Sequence, residues 1–126
     1  MLHYIMRKIS TLEKMKKRMT FSSVDFRGCD FVSNQNFSRK DFHSCNFENV
    51  NLENTNFTNS HASHSNFKGA NLKGANFTKA DLKFSVFSKA NLSGANLQMT
   101  TVRDAELDDA DLRNANLRST NFLGAN

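Results

Sequence analysis

Residues 70–84 read ANLKGANFTKADLKF, and a leucine or phenylalanine returns at every fifth position of this stretch. The same period runs through residues 37–122, where only Ala62 and Val102 interrupt it. We call these positions centres, and we expect them to point into one common core. The predicted core residues are Phe37, Phe42, Phe47, Leu52, Phe57, Phe67, Leu72, Phe77, Leu82, Phe87, Leu92, Leu97, Leu107, Leu112 and Leu117.

Three earlier centres, Phe21, Phe26 and Phe31, keep the period but stand one residue out of phase, so segment 32–36 contains one extra residue. The twenty-one centres hold eleven of the twelve phenylalanines. Asn or Asp precedes the centre in sixteen units, and a small residue lies two positions before it in eighteen. All five glycines lie two positions after a centre.

A period of five suits neither an ordinary helix nor an ordinary strand. On a helix the centres would spread around the cylinder, and on a strand an odd period would place them on both faces. The pattern is satisfied if each unit turns a corner, so that every centre points toward the axis of a stacked coil. The glycine position fits a tight turn of the type II class, which needs φ > 0. The small residue would then also point inward, and the Asn or Asp would bond to the backbone at the corner.

Residues 70–74, 90–94 and 110–114 follow the pattern A-(N/D)-L-x-x and in this resemble the pentapeptide-repeat family. The resemblance covers residues 21–126 and implies an all-β fold, a right-handed quadrilateral β-helix with twenty residues per coil. The twenty-one units would make about five coils in a rod about 25 Å long, at about 4.8 Å per coil. The same spacing would stack one pure leucine column, Leu52, Leu72, Leu92 and Leu112.

Two parts of this solenoid are expected to be weak. Gln35 and Lys40 occupy positions that are small in other units, so the coil around residues 32–41 is predicted to be irregular. Ala62 replaces a large centre with a methyl group, which reduces the buried apolar area there.

The chain divides into residues 1–20 and the repeat region, residues 21–126. Residues 1–20 hold six basic residues and one acid, whereas residues 21–126 hold eleven of each sign, which accounts for the net charge of +5. We expect a short helix that caps the first coil, and the alternative is a basic arm that binds nucleic acid or an acidic membrane surface. The helix is predicted from an apolar stripe, Leu2, Ile5, Met6, Ile9, Leu12, Met15 and Met19.

The sequence also supports expectations about the C-terminal end of the solenoid and about the cellular compartment. Phe122 and Leu123 belong to the last coil, and an end-to-end homodimer through them is the arrangement that the resemblance implies. No apolar run approaches the ~20 residues of a membrane span, and the first residues lack the apolar core of a signal peptide. The 126 residues with two cysteines therefore predict a single cytoplasmic domain that is not built on disulfides.

The histidines are the first candidates for chemistry. With a twenty-residue stack, Asp41, His61 and Asp81 share one outward column, and His43 lies one coil from Ser63 beside His64. These groups are either an ordinary polar surface or a site for a divalent transition metal. Cys29 and Cys45 take inward positions, so a catalytic pair of Cys45 with His43 is not expected. No phosphate loop, serine elbow or catalytic acid pair is visible, and we expect no enzyme activity, cofactor or small-molecule substrate.

Phe84 is the one phenylalanine outside the centre positions. It lies beside Val86, which replaces the usual Asn or Asp, and has Lys79, Lys83 and Lys89 around it. These residues form either a docking spot for a partner or a lone apolar residue on a basic surface.

The favoured function is a small, non-enzymatic interaction scaffold of bacterial type that binds an unidentified protein partner. The first alternative, implied by the resemblance, is a DNA mimic that protects a type II topoisomerase from quinolones or toxins. That mechanism requires a strongly negative surface, whereas the charges of residues 21–126 sum to zero. The second alternative is a secreted effector with a basic targeting arm.

Overall fold

The computed structural model of the protein describes residues 17–31 and 33–126. These residues form a solenoid in which each strand is a single residue held by parallel bridges. Residues 36, 41 and every fifth residue up to 101 each pair with the residue twenty positions later. Four five-residue units therefore separate one level of the stack from the next.

The extra residue changes the bridge spacing. Thr20 pairs with Asp41 and Asp25 with Asn46, a spacing of twenty-one, whereas the spacing is twenty from Asn36 onward. In the unit of Phe31, the residue with positive φ is Asn34, three positions after the centre. In every later unit this residue lies two positions after the centre. The extra residue predicted in segment 32–36 is thus confirmed, and it lies between Phe31 and Asn34. The irregular stretch is shorter than the predicted 32–41, because regular pairing has resumed at Asn36.

Each unit turns one corner, as the pattern predicted. All twenty-one units contain one residue with φ between 56° and 74°, and sixteen of these residues are not glycine. In the unit of Leu72, the turn is closed by a bond of 3.0 Å from the Ala75 N–H to the Leu72 carbonyl. Glycine at these corners relieves the steric cost of positive φ, but the fold does not require it in most units.

The Asn and Asp column stabilises these corners. In fifteen units the side-chain oxygen accepts the backbone N–H two positions later, as from Lys73 to Asn71 at 3.2 Å. This N–H has no backbone partner in the coil geometry, so the side chain satisfies it. Five described units lack this bond, and their residue at this position is Thr20, His61, Val86, Thr101 or Glu106.

The centres fill the axis of the solenoid and stack from one level to the next. The rings of Phe47, Phe67 and Phe87 form a parallel ladder with centroid spacings of 5.0 and 4.9 Å. The small residues two positions before the centres, such as Ala70, are buried beside them. Leu117 differs from the predicted core because it is 40% exposed, and Leu107 and Leu112 are only partly buried. These three lie in the last level, over which no further residues stack in the structure.

Lys40 is buried at an inward position, although its side chain is charged. Its Nζ donates to the Arg18 carbonyl at 2.8 Å and lies 6.0 Å from the centre of the Phe21 ring. The side chain therefore runs along the axis toward the N-terminal end, where the ammonium finds an acceptor. Burial lowers the pKa of Lys40.

The predicted helix in residues 1–20 lies mostly outside the described residues. Lys17 is the only helical residue within the described ranges, and Thr20 already belongs to the bridge with Asp41. Among the described residues, no helix has the length and hydropathy that a membrane span needs.

Candidate functional site

One side of the solenoid carries the histidines and the exposed phenylalanine. We call it the aromatic face and define it by residues 41–44, 61–64, 81–84 and 101–104. The bridges place Asp41, His61 and Asp81 in one column, as predicted. The face therefore presents residues from four successive levels of the stack.

Three aromatic rings on this face form a continuous stack. The His43 ring meets the His64 ring edge to face with centroids 5.5 Å apart, and His64 lies flat on Phe84 at 4.9 Å. The Nδ1 of His43 is 2.9 Å from the Ser63 Oγ. The predicted closeness of His43 to Ser63 and His64 is confirmed. The stack with Phe84 was not predicted, although the twenty-residue spacing of His64 and Phe84 indicates it.

Phe84 combines an exposed aromatic ring with a left-handed backbone conformation. It is 50% exposed and has φ of 59°, a left-handed backbone that costs about 1–2 kcal/mol for a residue with a bulky side chain. Ten other phenylalanines, all at centres, are at most 3% exposed. Because aromatic residues are enriched where proteins bind partners, the exposed Phe84 is the main candidate on this face.

The lysines around Phe84 are placed differently from one another. The Lys83 Nζ lies 3.5 Å from the Asp81 Oδ2 on the aromatic face itself. Lys79 and Lys89 are exposed at the corners of the preceding and following units. Half-buried Val86 pairs with Asn66 and Glu106 and so continues the stack beside Phe84. The structure thus brings only Lys83 onto the face of Phe84 and sets the other two lysines on either side.

The acidic residues of the later coils are partly neutralised by neighbours. The Asp111 carboxylate accepts two side-chain bonds from Arg113, at 2.9 and 2.7 Å. This pairing lowers the pKa of Asp111 to about 2. Asp108 accepts the Ser88 hydroxyl at 2.6 Å. Arg113 therefore neutralises Asp111, whereas Asp108 gains a hydrogen bond and keeps its charge.

The cysteines are placed for packing and not for nucleophilic chemistry. Cys45 is 1% exposed, and its Sγ donates to the Phe21 carbonyl at 2.9 Å. Burial raises the pKa of the Cys45 thiol to about 12, which keeps it protonated at neutral pH. His43 is exposed on the aromatic face, away from this inward thiol. Cys29 is also buried and is not part of a disulfide.

A polar notch lies on another corner of the solenoid and was not predicted. It has a volume of about 280 Å³ and is lined by Glu53, Asn54, Lys73, Gly74, Ser93, Gly94 and Asn114. A Cβ built on Gly94 would meet no atom within 4 Å, whereas one on Gly74 would collide with the Asn54 amide. The two glycines, twenty residues apart, are the sequence feature that indicates it.

The repeat geometry agrees with comparisons with known proteins. A family profile described as "Pentapeptide repeat region" matches residues 19–97 and 63–126. The chain belongs to the pentapeptide-repeat family. No curated protein matches the sequence.

Solved pentapeptide-repeat structures share the fold. Rfr23 from the cyanobacterium Cyanothece 51142 is 21% identical with a TM-score of 0.58, over 86% of this chain and 84% of that one. The protein alr5209 from Nostoc PCC 7120 is 25% identical with a TM-score of 0.59, over 94% and 93%. QnrB1, a plasmid-mediated fluoroquinolone resistance protein, is 17% identical with a TM-score of 0.66, over 86% and 67%. These likenesses support an all-β pentapeptide-repeat solenoid.

Proposed function

We propose that this pentapeptide-repeat protein is a non-enzymatic scaffold that binds a protein partner through its polar surface, with Phe84 as the anchor. Its solenoid would be right-handed, with about five coils. Pentapeptide-repeat proteins are generally non-enzymatic scaffolds. A cytoplasmic location is part of the same proposal.

The observation that carries this proposal is the exposed ring of Phe84 at a corner position with positive φ. The fold itself does not need an aromatic residue there, since glycine, asparagine and serine take the same corner position in other units. Phe84 also does not contribute to the core, because half of it faces solvent. A partner that buries the ring would recover apolar contact area that the free protein leaves in water.

The surroundings of Phe84 indicate the chemistry of the partner. Lys79 and Lys89 stand at neighbouring corners, and the side chain of Lys83 is 43% exposed beside the ring. The complementary surface is an apolar pocket with acidic residues at its rim. Rim charges of this kind would mainly raise the association rate, whereas the ring would supply affinity.

Comparative affinity capture from the host lysate tests the proposal, with the wild-type chain, Phe84→Asn and Met99→Asn as baits. Met99 is the matched control because it is 51% exposed and has φ of 58°, but it lies on a different corner column. We expect a protein that is captured by wild type and Met99→Asn and lost with Phe84→Asn. Equal capture by all three baits would contradict the proposal.

The remaining alternatives are decided by what the same baits capture. A topoisomerase subunit held equally by all three would favour the DNA-mimic mechanism, and a supercoiling assay would verify it. A truncated chain, residues 21–126, tests the basic arm, since nucleic acid or acidic vesicles bound through residues 1–20 would be lost with it. Binding of that kind would weaken steeply between low and high salt.

The proposal of an end-to-end homodimer concerns Phe122 and Leu123. Leu123 is 65% exposed and Phe122 is partly buried against the core. Light scattering across a hundredfold range of protein concentration tests it, and a mass that stays at one chain throughout would contradict it.

A further inference from the structure

We propose that His43 and His64 form a binding site for a divalent transition metal ion of the zinc type. This inference is independent of the proposed partner and rests on the geometry of the aromatic face. Neutral imidazole is a common ligand of such ions. The two rings come from neighbouring levels of the stack and meet each other at the surface.

The distance between the rings fits shared coordination of one ion. A zinc–nitrogen bond is about 2.0–2.1 Å long, so two rings at a tetrahedral angle have their centres about 5 Å apart. The His43 and His64 centroids are 5.5 Å apart. Both histidines are exposed, so an ion can reach the two rings from solvent.

Each ring is already held by a neighbour. The Ser63 Oγ lies 2.9 Å from the His43 Nδ1, and when it accepts the Nδ1 proton, the Nε2 of His43 is left as a ligand atom. Metal-binding histidines are commonly oriented by a second hydrogen bond of this kind. The His64 ring is held by Phe84, on which it lies with an angle of 12° between planes. Holding the rings lowers the entropy that metal binding costs.

The site has two protein ligands and open positions. The described residues contain no group of three His, Cys, Asp or Glu side chains placed to hold a metal ion together. The nearby carboxylates have other partners, since Asp41 accepts the backbone N–H of His43 at 2.9 Å and Asp81 pairs with Lys83. Water would complete the tetrahedral coordination at the two positions that the protein leaves open.

The test is a zinc chloride titration of the full chain at pH 7.5, followed by calorimetry and by the histidine ring signals in NMR spectra. All proteins carry His3→Gln, because His3 lies outside the described residues. We expect one ion per chain, with the signals of His43 and His64 shifting together. His43→Gln and His64→Gln should each weaken binding at least tenfold, and Ser63→Ala should weaken it about tenfold.

His61→Gln is the matched control because His61 is an exposed histidine of the same face and its ring contacts neither ligand. Its affinity should equal that of the parent protein, and circular dichroism should show that all variants are folded. The proposal is wrong if the parent binds no zinc saturably, if either single ligand variant keeps full affinity, or if His61→Gln loses as much as His43→Gln.

Discussion

Thr55 and Thr100 occupy equivalent inward positions, but their hydroxyls have opposite surroundings. The Thr100 Oγ1 donates to the carbonyl of Phe77, one of the centres of the preceding level, at 2.5 Å. The Thr55 Oγ1 is buried and has no hydrogen-bond partner. The equivalent acceptor for Thr55 would be the Phe31 carbonyl, whose unit contains the extra residue.

Replacing each threonine with valine should change the free energy of unfolding in opposite directions. An unsatisfied buried hydroxyl costs about 1–3 kcal/mol, so Thr55→Val should stabilise the protein by about that amount. Thr100→Val removes a bond with a net worth of about 0.5–1.5 kcal/mol and should destabilise the protein by up to that amount. The two changes differ by about 1.5–4.5 kcal/mol, so at about 4 °C per kcal/mol for a domain of this size the two variants should melt roughly 6–18 °C apart.

Urea unfolding followed by circular dichroism measures the difference, with equal m values required for the comparison. A second pair provides the control, since the Ser60 Oγ has no partner and the Ser85 Oγ donates to the Ala62 carbonyl at 2.8 Å. Ser60→Ala should therefore cost less stability than Ser85→Ala. If Thr55→Val is no more stable than Thr100→Val, the reasoning from unsatisfied hydroxyls is refuted.

Three further predictions concern the core, the corners and the buried thiol. Ala62→Leu should be tolerated or stabilising because it enlarges a small centre, whereas Leu92→Asp should unfold the domain because it buries a charge; equal melting temperatures would contradict the stacked core. Asn96→Ala should lose about 0.5–1.5 kcal/mol with its corner bond, and Thr101→Asn should gain a similar amount in the same urea assay. Burial raises the pKa of Cys45 to about 12, so the unfolded chain loses this proton at a lower pH than the folded protein does. The free energy of unfolding should therefore fall as the pH rises from about 9 to 12. Cys45→Ala should reduce that loss, and a maleimide at pH 8 should label Cys45 only after unfolding.

Much of the fold can be predicted because each unit repeats its own local chemistry. The inward centres, the corner after each centre and the Asn or Asp bond all follow from residues within five positions. The extra residue could be located because it shifts the phase of Phe31 against Phe37. The expected irregular stretch was too long because Lys40 was judged by its size at a position that is small in other units. Near the end of the stack, its ammonium reaches the Arg18 carbonyl along the axis.

The candidate site could be predicted only in part. The column of Asp41, His61 and Asp81 followed from a spacing of twenty, which the family resemblance implied. The flat contact between His64 and Phe84 depends on ring orientation, and the notch at Gly74 and Gly94 depends on side chains that are absent from one corner.

The five-residue pattern alone predicts that the chain coils, which side chains point inward and where the register shifts. These properties are local, since turn geometry and side-chain volume decide them within each unit. The contacts between surface residues are set by the stacking of the levels, because they depend on the number of corners per turn and on the orientation of each side chain. These two properties place the His64 ring flat on Phe84, a contact that was not predicted from the sequence. In this repeat, the five-residue period specifies the fold, whereas the stacking of the levels specifies which polar side chains meet at the surface.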